Sequence, residues 1–106
     1  MISAEDVRMY TEARCWVLAW HLNQLLPDTL IMDFDEHVLV QLGPDRYLDV
    51  TGIHTKAELA QVWEKAYQMR PISYDLGRYI LEPDAPENVH ALATARALIT
   101  TYLSDR

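Results

Sequence analysis

The chain predicts an α+β domain on three observations. Apolar residues recur at helical spacing over residues 15–26 and again over 89–103. Two runs rich in aliphatic and β-branched residues, 37–42 and 46–50, flank Gly43-Pro44-Asp45, the composition of an antiparallel hairpin. The resulting order is helix, strands, helix, strand, helix, the pattern of a compact α+β fold. At 106 residues there is room for one core, so 1–106 reads as a single domain.

Ser3-Ala4-Glu5-Asp6 opens the first helix, with Ser3 as N-cap and two carboxylates in the first turn, where the helix dipole favours them. Val7 and Tyr10 or Thr11 continue it. Cys15, Leu18, Ala19, Leu22, Leu25 and Leu26 follow the spacing of a helix that buries one face, and Pro27-Asp28 ends it. No Gly or Pro stands between Tyr10 and Arg14, so one helix over 4–26 and two helices with a break there both remain open.

Thr29 to Met32 is a short strand candidate, and Asp33-Phe34-Asp35-Glu36 reads as a polar turn. His37 to Leu42 is a strand, and Arg46 to Val50 returns beside it until Thr51-Gly52 stops it. Thr55-Lys56-Ala57-Glu58 is a capping box that opens a helix through about Gln68, with Leu59, Val62, Trp63 and Ala66 inward. Pro71 closes that unit. Residues 72–81 are ambiguous, with Arg78 to Leu81 the best strand fragment. Asp84 is the expected N-cap of a last helix with Pro86 in its first turn. Val89, Leu92, Ala93, Ala95, Leu98, Ile99, Tyr102 and Leu103 supply its buried side.

Composition narrows the function classes. Half the residues are hydrophobic and 24% are charged, an ordinary balance for a soluble protein. No apolar run approaches the ~20 residues a membrane span needs, and MISAEDVRMY carries no secretory-signal pattern, so no membrane association is expected. A single cysteine excludes an internal disulfide and fits a reducing, cytoplasmic setting. The net charge of −7 argues against direct nucleic-acid binding. The acidic surface serves solubility or meets a basic groove on a protein partner. Three glycines and no Gly-rich phosphate loop exclude most nucleotide folds.

Three placements point to chemistry. Cys15 heads an apolar helix, His37 opens a strand, and Asp49 sits in the neighbouring strand within "RYLDVTG". A thiol nucleophile needs a base for its proton, and the base needs an orienting carboxylate. Amides at a helix start favour a thiolate and can hold an oxyanion. The hairpin can set His37 and Asp49 side by side with the helix packed across it.

That order, with "CWVLAWHL" before a Pro and then "EHVLVQLGPDRYLDVTG", resembles the small papain-like or NlpC/P60-like cysteine-peptidase fold. It resembles more closely a group of compact phage and bacterial proteins with Cys on a helix, a His-Val strand and a Tyr-Leu-Asp strand followed by Gly. The resemblance covers roughly residues 13–66. It implies a papain-like core: a Cys-bearing N-terminal helix on a small antiparallel sheet, with two further helices. It also implies Cys15 as nucleophile, His37 as base and Asp49 as the group that orients the imidazole. The expected activity is that of a thiol hydrolase or acyl transferase acting on an amide, isopeptide or thioester of a protein or peptide substrate, with no cofactor. Arg14 stands where such proteins usually keep a small residue, and Met9 and Tyr10 stand where papain-like enzymes often keep a glutamine. These departures support a rival expectation, a non-catalytic acidic protein on the same fold that antagonises a host factor.

Each residue also has a plainer reading. Cys15 is equally a small core residue, His37 a strand-edge histidine, and Asp49 a cap on the Thr51-Gly52 turn. Asp33, Asp35, Glu36 and His37 match no zinc or calcium spacing, so they read as a solvated turn with no metal. Trp16, Trp20 and Trp63 read as packing residues, with Trp16 also placed to wall a substrate groove. His21, His54 and His90 are expected at the surface. The sequence gives no oligomeric state.

Overall fold

The computed structural model describes residues 2–34 and 37–103. Among these residues the chain forms four α-helices and a five-stranded antiparallel sheet. In order they are α1 (Ala4–Glu12), α2 (Cys15–Leu25), β1 (Leu30–Phe34), β2 (His37–Gly43), β3 (Arg46–Asp49), β4 (Gly52–His54), α3 (Lys56–Val62), β5 (Arg70–Pro71) and α4 (Pro86–Leu103), with short 3-10 turns at Ala66–Gln68 and Leu76–Tyr79. The sheet order is β4-β3-β2-β1-β5. No helix among the described residues is long and apolar enough to cross a membrane.

Strand alternation divides the core in two. Val38, Val40 and Leu48 face one way with Ile31, and join Tyr10, Leu18, Leu22, Ala91, Ala95 and Leu98 from α1, α2 and α4. Leu39 and Tyr47 face the other way with Met32 and Phe34, and meet Leu59 and Ala66 from α3 and the turn after it. Helix α2 is apolar nearly all round because it lies between the sheet, α1 and α4.

The N-terminal helical stretch is two helices. Ser3 caps α1 in a capping box with Asp6, and the amides of Ala13 and Arg14 both close on the Met9 carbonyl, at 3.1 and 2.9 Å. The new helix then starts from the Arg14 carbonyl, which accepts from Val17 and Leu18. Tyr10 and Cys15 are both buried, yet five residues of continuous helix would set them about 140° apart. A break at Ala13-Arg14 lets both turn inward without a Gly or Pro to mark it.

Several boundaries differ from expectation. Asp33 and Phe34 extend β1 rather than starting a turn, because Phe34 fills the second cluster; Asp35 and Glu36 lie outside the described residues. Thr51-Gly52 does not end the sheet but turns the chain into β4, which pairs back on β3. The Thr55–Glu58 capping box forms, but α3 stops at Val62, which is 76% exposed instead of inward. Trp63 turns extended there, so that its ring and then Ala66 reach the sheet. Residues 76–79 form a 3-10 turn capped by Asp75, not a strand. Helix α4 begins at Pro86, so Ala85 rather than Asp84 holds the cap position, and its carbonyl accepts from Asn88 and Val89. Its buried face runs through Asn88, Ala91, Thr94, Ala95, Leu98 and Leu103, leaving Val89 and Tyr102 exposed.

Candidate active site

Cys15 is the first residue of α2, and the preceding Arg14 gives the helix no side-chain cap. The opening amides of a helix have no carbonyl partner within it, so the thiol stands at a partly positive end. Its Sγ accepts a hydrogen bond from the Val38 amide at 3.3 Å. Strand β3 has ended opposite Leu39, so it supplies no pairing partner at that level of β2. Nothing in the residue types signals this backbone donor, because any residue except proline at position 38 would provide it.

His37 opens β2 and Asp49 ends β3. The Val40–Leu48 pairing sets Leu39 opposite Asp49, with His37 one pleat further along on the same face. Its Nε2 meets Asp49 Oδ2 at 3.0 Å. An ionised carboxylate only accepts, so Nε2 carries the proton and the neutral tautomer leaves the lone pair on Nδ1. Nδ1 is buried and meets no aligned donor or acceptor, while the Cys15 side chain is close enough to act on the ring electrostatically. The ring is fixed by Trp63, stacked on it at 4.4 Å and 9°, and by the edge contact of Phe34 at 5.6 Å.

Electrostatics favour an ion pair. Burial pushes the His37 imidazole down, but the hydrogen bond and charge of Asp49, with the nearby Cys15 side chain, outweigh it and raise its pKa to about 9. Burial likewise pushes Asp49 up, but its hydrogen bonds with His37 and Thr51 hold it below the usual carboxylate value. The charged form of His37 is therefore favoured beside Asp49. Water reaches the group poorly: relative exposure is 1% for His37 and 6% each for Cys15 and Asp49.

Two open clefts share Trp16, the residue that follows Cys15, and neither is lined by Cys15 itself. One, of about 430 Å³, is lined by Trp16, Asp33, Val38, Tyr74, Leu76 and Tyr79. The other, of about 500 Å³, runs past Arg14, Trp16, Tyr79, Leu81, Glu82 and Glu87. Trp16 therefore walls a groove, whereas Trp63 is a contact of the histidine itself, a role its apolar spacing did not reveal. No side-chain amide comes from the stretch before Cys15, where Tyr10 is buried in the main core. Among the described residues no group of three or more His, Cys, Asp or Glu side chains is arranged to hold a metal ion.

The other histidines diverge from one another. His21 is buried rather than at the surface, donating from Nε2 to Asn88 Oδ1 at 3.2 Å under the edge of Trp20. His90 is half-exposed and bonds Asp6 at 2.7 Å, joining α4 to α1. His54 is partly buried and lies 3.6 Å from Asp49 Oδ1. Compared with known family models, curated proteins and solved structures, the chain matches none.

Proposed function

We propose that this protein is a thiol-dependent hydrolase or acyl transferase with a papain-like core, cleaving an amide, isopeptide or thioester of a protein or peptide. The observation that carries this reading is the His37–Asp49 hydrogen bond of 3.0 Å beside a cysteine that begins a helix. Cys15 as thiolate attacks the carbonyl carbon, and the oxyanion forms near the first-turn amides of α2. His37 delivers its Nδ1 proton to the departing amine or thiol, leaving an acyl thioester on Cys15. Water or an acceptor amine then attacks that thioester as His37 takes up its proton. The acid or new amide leaves, and the thiolate and protonated imidazole are restored. Asp49 holds the ring and stabilises its charged form.

The rival, a non-catalytic interaction protein, draws on the low exposure of the thiol and on Arg14 beside it. Turnover of a model peptide thioester, followed by intact-mass measurement, separates the two. The enzyme reading predicts an acyl adduct on Cys15 and a loss of at least about 10³-fold in Cys15→Ala. Equal background hydrolysis by both proteins, with no adduct, overturns it in favour of the rival.

A further inference from the structure

Asp49 uses its two oxygens differently. Oδ2 faces His37, while Oδ1 accepts from the Thr51 amide at 2.8 Å and from the Thr51 hydroxyl. The same hydroxyl oxygen lies 2.7 Å from His54 Nε2. The proton directions follow from the carboxylate. It cannot donate, so the Thr51 hydroxyl spends its one hydrogen on Oδ1 and accepts from His54 Nε2–H. His54 is 27% exposed and Thr51 is exposed. A continuous hydrogen-bond chain therefore runs from His37 through Asp49 and outward through Thr51 and His54 to solvent. The groups that face this carboxylate are His37 from β2, Thr51 from the turn and His54 from β4. Beyond them Cys15 acts on His37, and Lys56 lies over the Tyr47 ring at 5.9 Å.

We infer that Thr51 and His54 are positioning residues for the reaction proposed above: together they fix Asp49 so that Oδ2 orients His37 toward Cys15. The inference rests on that reading of the triad. Without the Thr51 hydroxyl, Oδ1 keeps only one backbone donor, and the carboxylate is free to rotate away from the imidazole. His54 Nε2–H sets the hydroxyl rotor, so its loss lets the Thr51 hydrogen turn from Oδ1. The Asp49-Val50-Thr51 spacing is that of an Asx turn, which aims the Thr51 amide at Oδ1.

The test is the rate of Cys15 alkylation by iodoacetamide at pH 7 in the full chain, with melting curves as a control for folding. Thr51→Val and His54→Leu are expected to slow alkylation on the order of tenfold, as loss of an orienting partner does elsewhere. Thr51→Ser and His54→Gln, which restore a hydroxyl and a nitrogen donor, are expected to stay within about twofold of the parent. Thr51→Val at the parent rate overturns the inference. Equal slowing by Thr51→Val and Thr51→Ser also overturns it, since the hydroxyl is then irrelevant. If Thr51→Val does not fold, the His54 pair decides on the same terms. A His37→Gln variant that alkylates at the parent rate overturns the triad reading itself. Slowing in His37→Gln alone overturns only the roles of Thr51 and His54.

Discussion

His37 is the residue on which the site turns, because three kinds of contact act on one buried ring. The carboxylate of Asp49 fixes its tautomer, Trp63 and Phe34 fix its plane, and the Cys15 side chain acts on the ring electrostatically. The charged form is held by neighbours strong enough to overcome burial, which makes protonation part of stability. The folded-state pKa of about 9 lies above the ordinary histidine value of 6.5. The stabilisation from His37 is therefore complete below pH 6.5 and lost as pH rises through about 9. Asp49 has the opposite sense: its contribution is present above 3.8 and lost as pH falls through its lowered value. Urea unfolding from pH 6 to 10 is expected to show the parent losing about 3 kcal/mol more than His37→Gln. Parallel pH dependences for the two proteins would contradict the assigned charge.

At the scale of elements, the site depends on where α2 starts and on how β3 turns into β4. The caps at Ser3 and Thr55 were legible because a hydroxyl and a carboxylate three residues on satisfy helix-start amides locally. The break at Ala13-Arg14 was not, because it answers to the burial of Tyr10 and Cys15 in the assembled core. Strand β4 was hidden for a similar reason. Thr51-Gly52 is turn composition, and only the pairing of Gly52 with Asp49 makes it a strand start. Gly52 has φ +116°, and an added Cβ would lie 2.9–3.1 Å from two ring carbons and the hydroxyl oxygen of Tyr102. Gly52→Ala is expected to cost roughly 1–3 kcal/mol in denaturant unfolding, from backbone strain alone. Pairing it with Tyr102→Ala relieves the contact but not the strained φ. A Gly52→Ala protein as stable as the parent would mean that the turn beside Asp49 is built differently.

At the scale of the whole molecule, one sheet serves two cores, and the candidate triad is assembled at its end. Cys15 comes from a helix on the main-core side, whereas His37 and Asp49 point toward the face covered by Leu59, Trp63 and Ala66. The residue types and their order were readable from the chain, since each had an identifiable secondary-structure context. The face on which α3 packs was not readable, since α3 is short and its inward set was rotated by the early stop at Val62. The same limit hid His21, whose burial depends on Asn88 from a helix 67 residues away. The two clefts share Trp16, the residue after Cys15, and their rim carries Asp33, Glu82 and Glu87. The measurement that most directly tests whether this assembly activates Cys15 is its iodoacetamide alkylation rate from pH 5 to 10, in the parent and in His37→Gln. An activated pair predicts that the parent keeps most of its plateau rate at pH 6, with His37→Gln at least about tenfold slower there and similar at pH 10. Superimposed profiles, or a thiol that reacts only after unfolding, would contradict it.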